Sequence, residues 1–363
     1  MKIVYISHLS TNIAAGMNWS VPASIRAQEK IDEVLWINTT NVVMPHWRET
    51  KAYRNLKDYG EVLCLEILPQ NFRRPHLVVF EGLYFKEYLY FSKELRKNNI
   101  PYIIIPRGSL THQAMHNHAW LKKWIAHKVF FNKFIRHARC IQYLTRQEAE
   151  DSKKQFPIPY FIVPNGVCQP SETKMVFNDD KIKAVFIGRI DMYHKGIDIL
   201  LDAITQVSDE LRKAHFSLSF YGPKKYDYQI VFDELSKRKI EDIVTMNGEI
   251  SGKEKEIVLL NADLFVMTSR FEGHPMGLIE ALAYGIPCLI TPGTNMAEEV
   301  HNSDSGWVST GNVESIKLTL LKIICESKQL KDKGRNAQLL ASKYDWNKIA
   351  LSFNKEVLKL KLM

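Results

Sequence analysis

The chain of 363 residues is short of several things that would have placed it quickly. Its five cysteines, Cys64, Cys140, Cys168, Cys288 and Cys325, are odd in number, scattered, and form no C-x-x-C pair. That excludes a disulfide framework and a structural zinc site, and it points to a reducing compartment. No apolar run approaches the roughly 20 residues that span a bilayer. No G-x-G-x-x-G occurs, so the nicotinamide fingerprint is missing. There is no Asp-x-Asp, no zinc-finger spacing, no basic low-complexity tail and no RNA-binding signature, which ranks nucleic acid last among the partners. The opening MKIVYIS reads as a first strand rather than a signal peptide. The expectation is a soluble, cytoplasmic protein.

What is present is a large apolar fraction, 45%, and a net charge of +9. The length suits two ordinary domains. The charge favours anionic partners such as nucleotide phosphates or an acidic membrane surface. Apolar β-rich runs alternate with helical patterns throughout: KIVYIS, EVLWIN, HLVVFEG, YIIIPRG, CIQYLT and YFIVPNG in the first half, AVFIGR, FSLSFYG, IVTMNG, LFVMTS and PCLITPG in the second. This alternation predicts an α/β fold, two Rossmann-like domains of parallel strands with helices on both faces, whose strand ends face a central cleft. The polar stretch 167–180 reads as the linker between domains at 1–166 and 181–343, with a terminal helix at 344–363. Thr145-Arg146-Gln147-Glu148 matches a helix capping box after a strand.

The segment from Ser269 to Thr291 carries the most chemistry. A buried strand ends in small polar residues, Glu272 follows, and Gly273-His274-Pro275-Met276-Gly277 leads into a helical run that stops at Gly285. Pro275 falls near the first helical position, where a missing N–H costs nothing. Free N–H groups and the positive end of the dipole make such a helix start a phosphate site. Glu272 and Glu280 would lie about 12 Å apart on a continuous helix. Paired glycosidase carboxylates sit closer, about 5 to 9.5 Å. The spacing therefore suits two ends of an elongated ligand with an anionic middle, such as a nucleoside diphosphate sugar. The plainer alternative is a buried strand and helix with two solvated glutamates.

Gly188 and Arg189 end another strand, and His194, Lys195 and Gly196 precede the next helix. Arginine grips phosphate oxygens bidentately while lysine acts as a point charge, so the two are complementary on a diphosphate. Solvated loop cations are the ordinary alternative. The long first loop holds Gly16, with a helix starting near Val21-Pro22; Gly16 suits a close backbone approach or a plain turn. Pro106-Arg107-Gly108 follows a strong apolar strand, and His112, His116 and His118 come next without a carboxylate partner, which argues against a metal site. On a helix, Trp120 to Arg136 would place Trp120, Trp124, Phe131, Phe134 and Ile135 on one side and Lys122, Lys133 and Arg136 on the other, flanked by Lys123 and Lys128. That pattern fits an anionic lipid surface or a core helix with a solvated basic face.

Taken together, Glu272-x7-Glu280, Gly188-Arg189 with Lys195-Gly196-Ile197-Asp198, Pro164-Asn165-Gly166 and Ala262-Asp263-Leu264-Phe265 resemble the family-4 retaining glycosyltransferases of the GT-B fold. The match is strong over about 164 to 310 and weaker upstream. The resemblance implies a donor-binding second half and an acceptor-binding first half, with the C-terminal helix returning to the first domain. Arg189 and Lys195 would bind the donor diphosphate, Glu280 the ribose and Glu272 the transferred sugar, while Gly273, His274, Pro275, Met276, Gly277 and Leu278 line the donor with their backbone. It implies no metal or other cofactor. Many relatives have a histidine where this chain has Arg107, so Arg107 and His112 become candidates on the acceptor or phosphate side, together with Gly16. Ser20-Val21-Pro22-Ala23 and Pro106-Arg107-Gly108 resemble bacterial enzymes that extend capsule, exopolysaccharide or O-antigen units on polyprenyl-linked acceptors. By that resemblance the partners are a nucleotide sugar, most readily a UDP-sugar, a lipid-linked saccharide and the inner membrane face. The alternatives are a phosphorylase-like or epimerase-like enzyme and a nucleotide-sugar-binding protein without catalysis.

Overall fold

The computed structural model describes residues 1–11, 16–110, 130–153, 156–177 and 180–360. Two compact units emerge, one from Met1–Gly166 with Trp346–Met363, the other from Val167–Asp345. His112, His116, His118, Trp120, Lys122, Lys123, Trp124 and Lys128 lie outside the described residues.

The first unit holds seven strands, β1 (Lys2–Ser7), β2 (Glu33–Asn38), β3 (Tyr53–Asn55), β4 (Leu77–Glu81), β5 (Tyr102–Ile105), β6 (Cys140–Tyr143) and β7 (Tyr160–Ile162). They pair in parallel in the order β3-β2-β1-β4-β5-β6-β7. The second unit holds β8 (Lys183–Ile187), β9 (Ser217–Tyr221), β10 (Val244–Asn247), β11 (Leu264–Met267), β12 (Cys288–Ile290) and β13 (Gly306–Val308), again all parallel, in the order β10-β9-β8-β11-β12-β13. The fold is the expected α/β class, two parallel sheets with helices. Central strands β4, β5, β11 and β12 are buried along their whole length, because helices covering both faces leave no solvent side to alternate toward.

In both sheets the strand order reverses once, between β1 and β4 in the first and between β8 and β11 in the second. Beyond the carboxyl ends of such a strand pair the loops diverge to opposite faces and open a crevice, the usual ligand position in parallel α/β sheets.

Three local readings need correction. The first helix begins at Met17, not near Val21, and runs to Gln28 with Pro22 inside it. Proline removes the N–H that would bond the Asn18 carbonyl. That carbonyl instead accepts the Trp47 indole N–H at 3.0 Å and lies 2.8 Å from His46 Nε2, so the helix tolerates the proline through a tertiary partner. Pro275 sits at the N-cap with extended φ/ψ of −78°/107°, and Met276 is the first helical residue. The capping box at Thr145 is half formed. Glu148 N–H donates to Thr145 Oγ1 at 3.1 Å, but the Glu148 carboxylate turns to the Leu144 and Gly108 N–H groups at 2.8 and 2.5 Å.

The terminal helix Trp346–Lys359 packs beside the Met17–Gln28 helix within the first unit. Gln28 donates to Asn354 Oδ1 at 2.8 Å, Asn354 donates to Asp32 at 2.7 Å, and Phe353 meets Phe161. The stretch after Gly166 is packed in the second unit: Val167 N–H bonds the Tyr344 carbonyl at 2.7 Å, and Lys174 pairs with buried Asp263 at 3.0 Å.

Replacing Trp47 by Phe removes the donor that covers the proline gap. A urea titration should show a loss of about 1–3 kcal/mol; an unchanged midpoint would mean that the Asn18 carbonyl is satisfied otherwise.

Candidate functional site

The crevice of the second unit is built by two loops, Gly188–Gly196 after β8 and Thr268–Pro275 after β11. Backbone contacts hold them together. Gly196 has φ +62°, and a Cβ there would lie 2.1 Å from the Thr268 carbonyl oxygen, so only glycine fits. The Thr268 hydroxyl reaches the carbonyls of Lys195 and Gly196 at 3.2 and 3.1 Å. Arg270 N–H donates to the His194 carbonyl at 2.9 Å. Its guanidinium forks onto both Asp198 oxygens at 2.7 Å each, a bidentate geometry that fixes orientation.

Within this frame stand two cations. Lys195 is buried, and its ammonium lies 2.5 Å from Glu272 Oε1, which also accepts from Ser269 Oγ at 2.6 Å. Burial pushes the Glu272 carboxyl toward its neutral form. The nearby Lys195 and His194 charges, with hydrogen bonds from Lys195 and Ser269, outweigh it and hold the pKa below the ordinary 4.5. Arg189 is more open. Its Nη2 lies 2.6 Å from His194 Nδ1, its Nε 3.7 Å from Asp191, and its guanidinium 5.4 Å from the Tyr226 ring. His194 Nε2 faces the Phe271 carbonyl at 2.7 Å, so that nitrogen carries the proton and Nδ1 accepts from Arg189. Burial lowers the His194 pKa, with the Glu272 charge opposing it, which keeps the ring in this neutral, accepting form. His194 thereby aims Arg189.

The helix Met276–Ala283 starts beside these cations. Gly277 fits closely there, since a Cβ would sit 3.0 Å from the Ile187 carbonyl at the end of β8. A proline N-cap has no side chain to accept from the first-turn N–H groups, so that turn keeps its donors for an external anion. Glu280, in the second turn, pairs with Lys255 of the helix Gly252–Asn261. Gly285, with φ +79°, lies just past the helix end, as its position predicts.

The structure thus brings Gly188, Arg189, Lys195, Glu272, Gly277 and the first turn at Met276 and Leu278 into one crevice. His274 is buried against Tyr344, its ring centroid 5.3 Å away, and burial lowers its pKa to about 3; what it can offer a ligand is backbone. Asn295, which the sequence did not single out, donates to the Glu272 and Gly273 carbonyls at 2.6 and 3.1 Å from a left-handed conformation. Lys255 was also missed, and nothing in its local sequence marks it. Ser269 could have been found, three residues before Glu272 at a strand end. Among the described residues no cluster of three His, Cys, Asp or Glu side chains is placed to hold a metal.

In the first unit Arg107 is buried with φ +51°, a strained conformation for a long side chain. Its guanidinium donates to Glu81 at 2.7 Å, Asn165 Oδ1 at 2.9 Å and Ser20 Oγ at 3.1 Å. Gly16 is the exposed N-cap of the Met17–Gln28 helix, with φ −54° that any residue could adopt.

Residues 170–340 match the family model described as glycosyl transferases group 1. Among curated proteins the chain is similar to the catalogued chain of human phosphatidylinositol N-acetylglucosaminyltransferase, 27% identical over 157 residues, 43% of this chain and 31% of that protein. It is also similar to the Campylobacter jejuni N,N'-diacetylbacillosaminyl-diphospho-undecaprenol alpha-1,3-N-acetylgalactosaminyltransferase, 27% identical over 192 residues, 51% of this chain and 48% of that protein. The matches thus span under half the length of these two relatives. Among solved structures, Anabaena HepE in complex with UDP and glucose superposes with a TM-score of 0.74 at 15% identity, covering 99% of this chain and 100% of that one. At that identity the likeness speaks for the GT-B fold alone.

The depressed Glu272 pKa gives stability that is fully present above the unfolded value near 4.5 and lost as pH falls through the lower folded value. Glu272→Gln leaves Lys195 buried without a counter-charge and should cost about 3 kcal/mol at neutral pH. In denaturant titrations the gap between wild type and variant should close below pH 4.5; a gap independent of pH would rule out the ion pair as its source.

Proposed function

We propose that this chain, whose residues 170–340 form a glycosyl transferases group 1 domain, moves a sugar from a nucleoside diphosphate sugar to a saccharide acceptor. The observation that carries this reading is the crevice between β8 and β11, where Arg189, Lys195 and the first turn of the Met276–Ala283 helix converge beside two carboxylates.

Breaking the bond to the anomeric carbon leaves charge on the diphosphate. Arg189, aimed by His194, Lys195 and the helix start supply fixed positive potential where that charge grows, without reorganisation. These groups do what a bound cation does in metal-dependent transferases, so we assign a metal-independent reaction. Glu272 accepts from hydroxyls of the transferred sugar and Glu280 from the ribose. Lys195 and Lys255 keep both carboxylates ionised and so able only to accept. Glu272 is held in its ion pair, which suits an orienting group better than a covalent nucleophile. The resemblance to retaining enzymes supports retention at the anomeric carbon.

UDP is our preferred donor nucleotide, supported by the HepE complex with UDP and glucose. A lipid-linked acceptor on the inner membrane face is supported by the Campylobacter relative, whose name specifies a diphospho-undecaprenol acceptor, and by the net charge of +9. No helix among the described residues is long and apolar enough to cross a membrane, so association would be peripheral.

Calorimetry with UDP-, GDP- and ADP-sugars, followed by turnover on a polyprenyl diphosphate-linked sugar, tests the proposal. Arg189→Ala and Glu280→Ala should each weaken binding of the preferred nucleotide about 10-fold or more, the loss of a charge-assisted hydrogen bond. A chelator should leave turnover unchanged. Nucleotide binding with no transfer to any acceptor would indicate a binding protein. Co-sedimentation with anionic liposomes should fall when Lys122, Lys123, Lys128 and Lys133 become glutamine; no change would move the membrane contact elsewhere.

A further inference from the structure

The first unit has its own crevice, beyond the carboxyl ends of β1 and β4, where its strand order reverses. Two half-buried rings meet across it. His8 follows β1, Phe85 follows the turn after β4, and they stack with centroids 4.3 Å apart and planes 26° from parallel.

Both rings are held in place. Gly82, with φ +88°, makes the turn that returns Phe85 over the strand end, and a Cβ on it would lie 2.9 Å from the Phe85 ring. Tyr88 braces the other side of Phe85 edge-on at 5.1 Å. His8 Nδ1 lies 2.8 Å from Thr39 Oγ1, and the Thr39 hydroxyl donates to the Ser7 carbonyl at 3.1 Å. Having spent its single hydrogen, Thr39 Oγ1 must accept from His8, which puts the proton on Nδ1 and leaves Nε2 an acceptor. Burial lowers the His8 pKa, against the pull of the nearby Glu87 carboxylate, and so favours the neutral ring.

An aromatic surface edged by acceptors, His8 Nε2 and the Glu87 carboxylate, matches a molecule with one apolar C–H face and a rim of hydroxyl donors. A pyranose ring has that character. A phosphate would be repelled by Glu87, and a nucleobase offers few donors to these groups. We propose that the His8–Phe85 pair is a stacking platform for a sugar ring, the saccharide end of the acceptor. This assignment rests on the transferase reading above, but it concerns a different unit from the nucleotide site and can fail separately.

The test uses the full chain and saturation-transfer NMR with methyl glycosides of glucose, galactose, mannose, N-acetylglucosamine and N-acetylgalactosamine, each with and without UDP. At least one glycoside should receive saturation on its ring C–H protons. That signal should fall about threefold to tenfold in Phe85→Leu and in His8→Leu, the loss expected for an aromatic contact, and persist in Phe85→Trp. The UDP signal should be the same in all four proteins. No signal from any glycoside in the wild type, a signal indifferent to both leucine variants, or displacement of the glycoside by uridine alone would overturn the platform. Absence of UDP binding in the wild type would instead overturn the transferase reading, whatever the glycosides do.

Discussion

The ion pair between Lys195 and Glu272 is the constraint on which the second unit's site depends. Two buried charges of opposite sign gain little net stability, yet removing either leaves its partner desolvated and alone. The two loops that carry them must therefore stay together, and Gly196 against Thr268, Arg270 on Asp198 and Asn295 under the Glu272 backbone all serve that registry. The same pair is suited to a ligand. An anion approaching Lys195 and a hydroxyl approaching Glu272 each meet a charge that is already ordered, so little conformational entropy is lost on binding. Arg189 completes the arrangement differently, tied to a neutral histidine rather than to a close carboxylate, which leaves most of its charge for an incoming phosphate.

Both units obey one topological rule. Parallel strands must be joined by crossovers, and where the order reverses the loops part. In the second unit the gap is lined by cations and a helix start, in the first by rings and hydrogen-bond acceptors. A charged, flexible ligand part and a neutral, rigid one call for those two linings respectively.

Much of this was legible in the sequence, for identifiable reasons. Strands buried on both faces read as unbroken apolar runs, so β4, β5, β11 and β12 were visible directly, and the Gly-rich turn before Met276 announced its helix. β3 and β13 are three residues each and take their partners from the sheet edge, which leaves too little periodicity to see. The start of the first helix was misplaced because proline is normally a first-turn residue; its tolerance inside the helix comes from Trp47 and His46, some 25 residues away in sequence and beyond any local pattern. The stretch after Gly166 looked like linker because its ties, to Tyr344 and Asp263, are long-range. The site's cations and carboxylates were found by type and spacing. Their pairing, Lys195 with Glu272 and Lys255 with Glu280, was not, since each pair joins separate elements.

Arg107 is where the resemblance breaks and the physics can be followed further. An arginine in the left-handed region persists only where its surroundings over-determine it. Here Glu81 at the end of β4, Ser20 on the first helix and Asn165 each take one of its donors, while Glu148 binds the next N–H, that of Gly108. Four separate segments are thereby tied to the end of β5. Glu81 immediately precedes Gly82, the turn that delivers Phe85. The residue standing in for the relatives' histidine thus acts through position: by anchoring the last residue of β4, it fixes where the turn to Phe85 begins and with it the ring pair across the crevice.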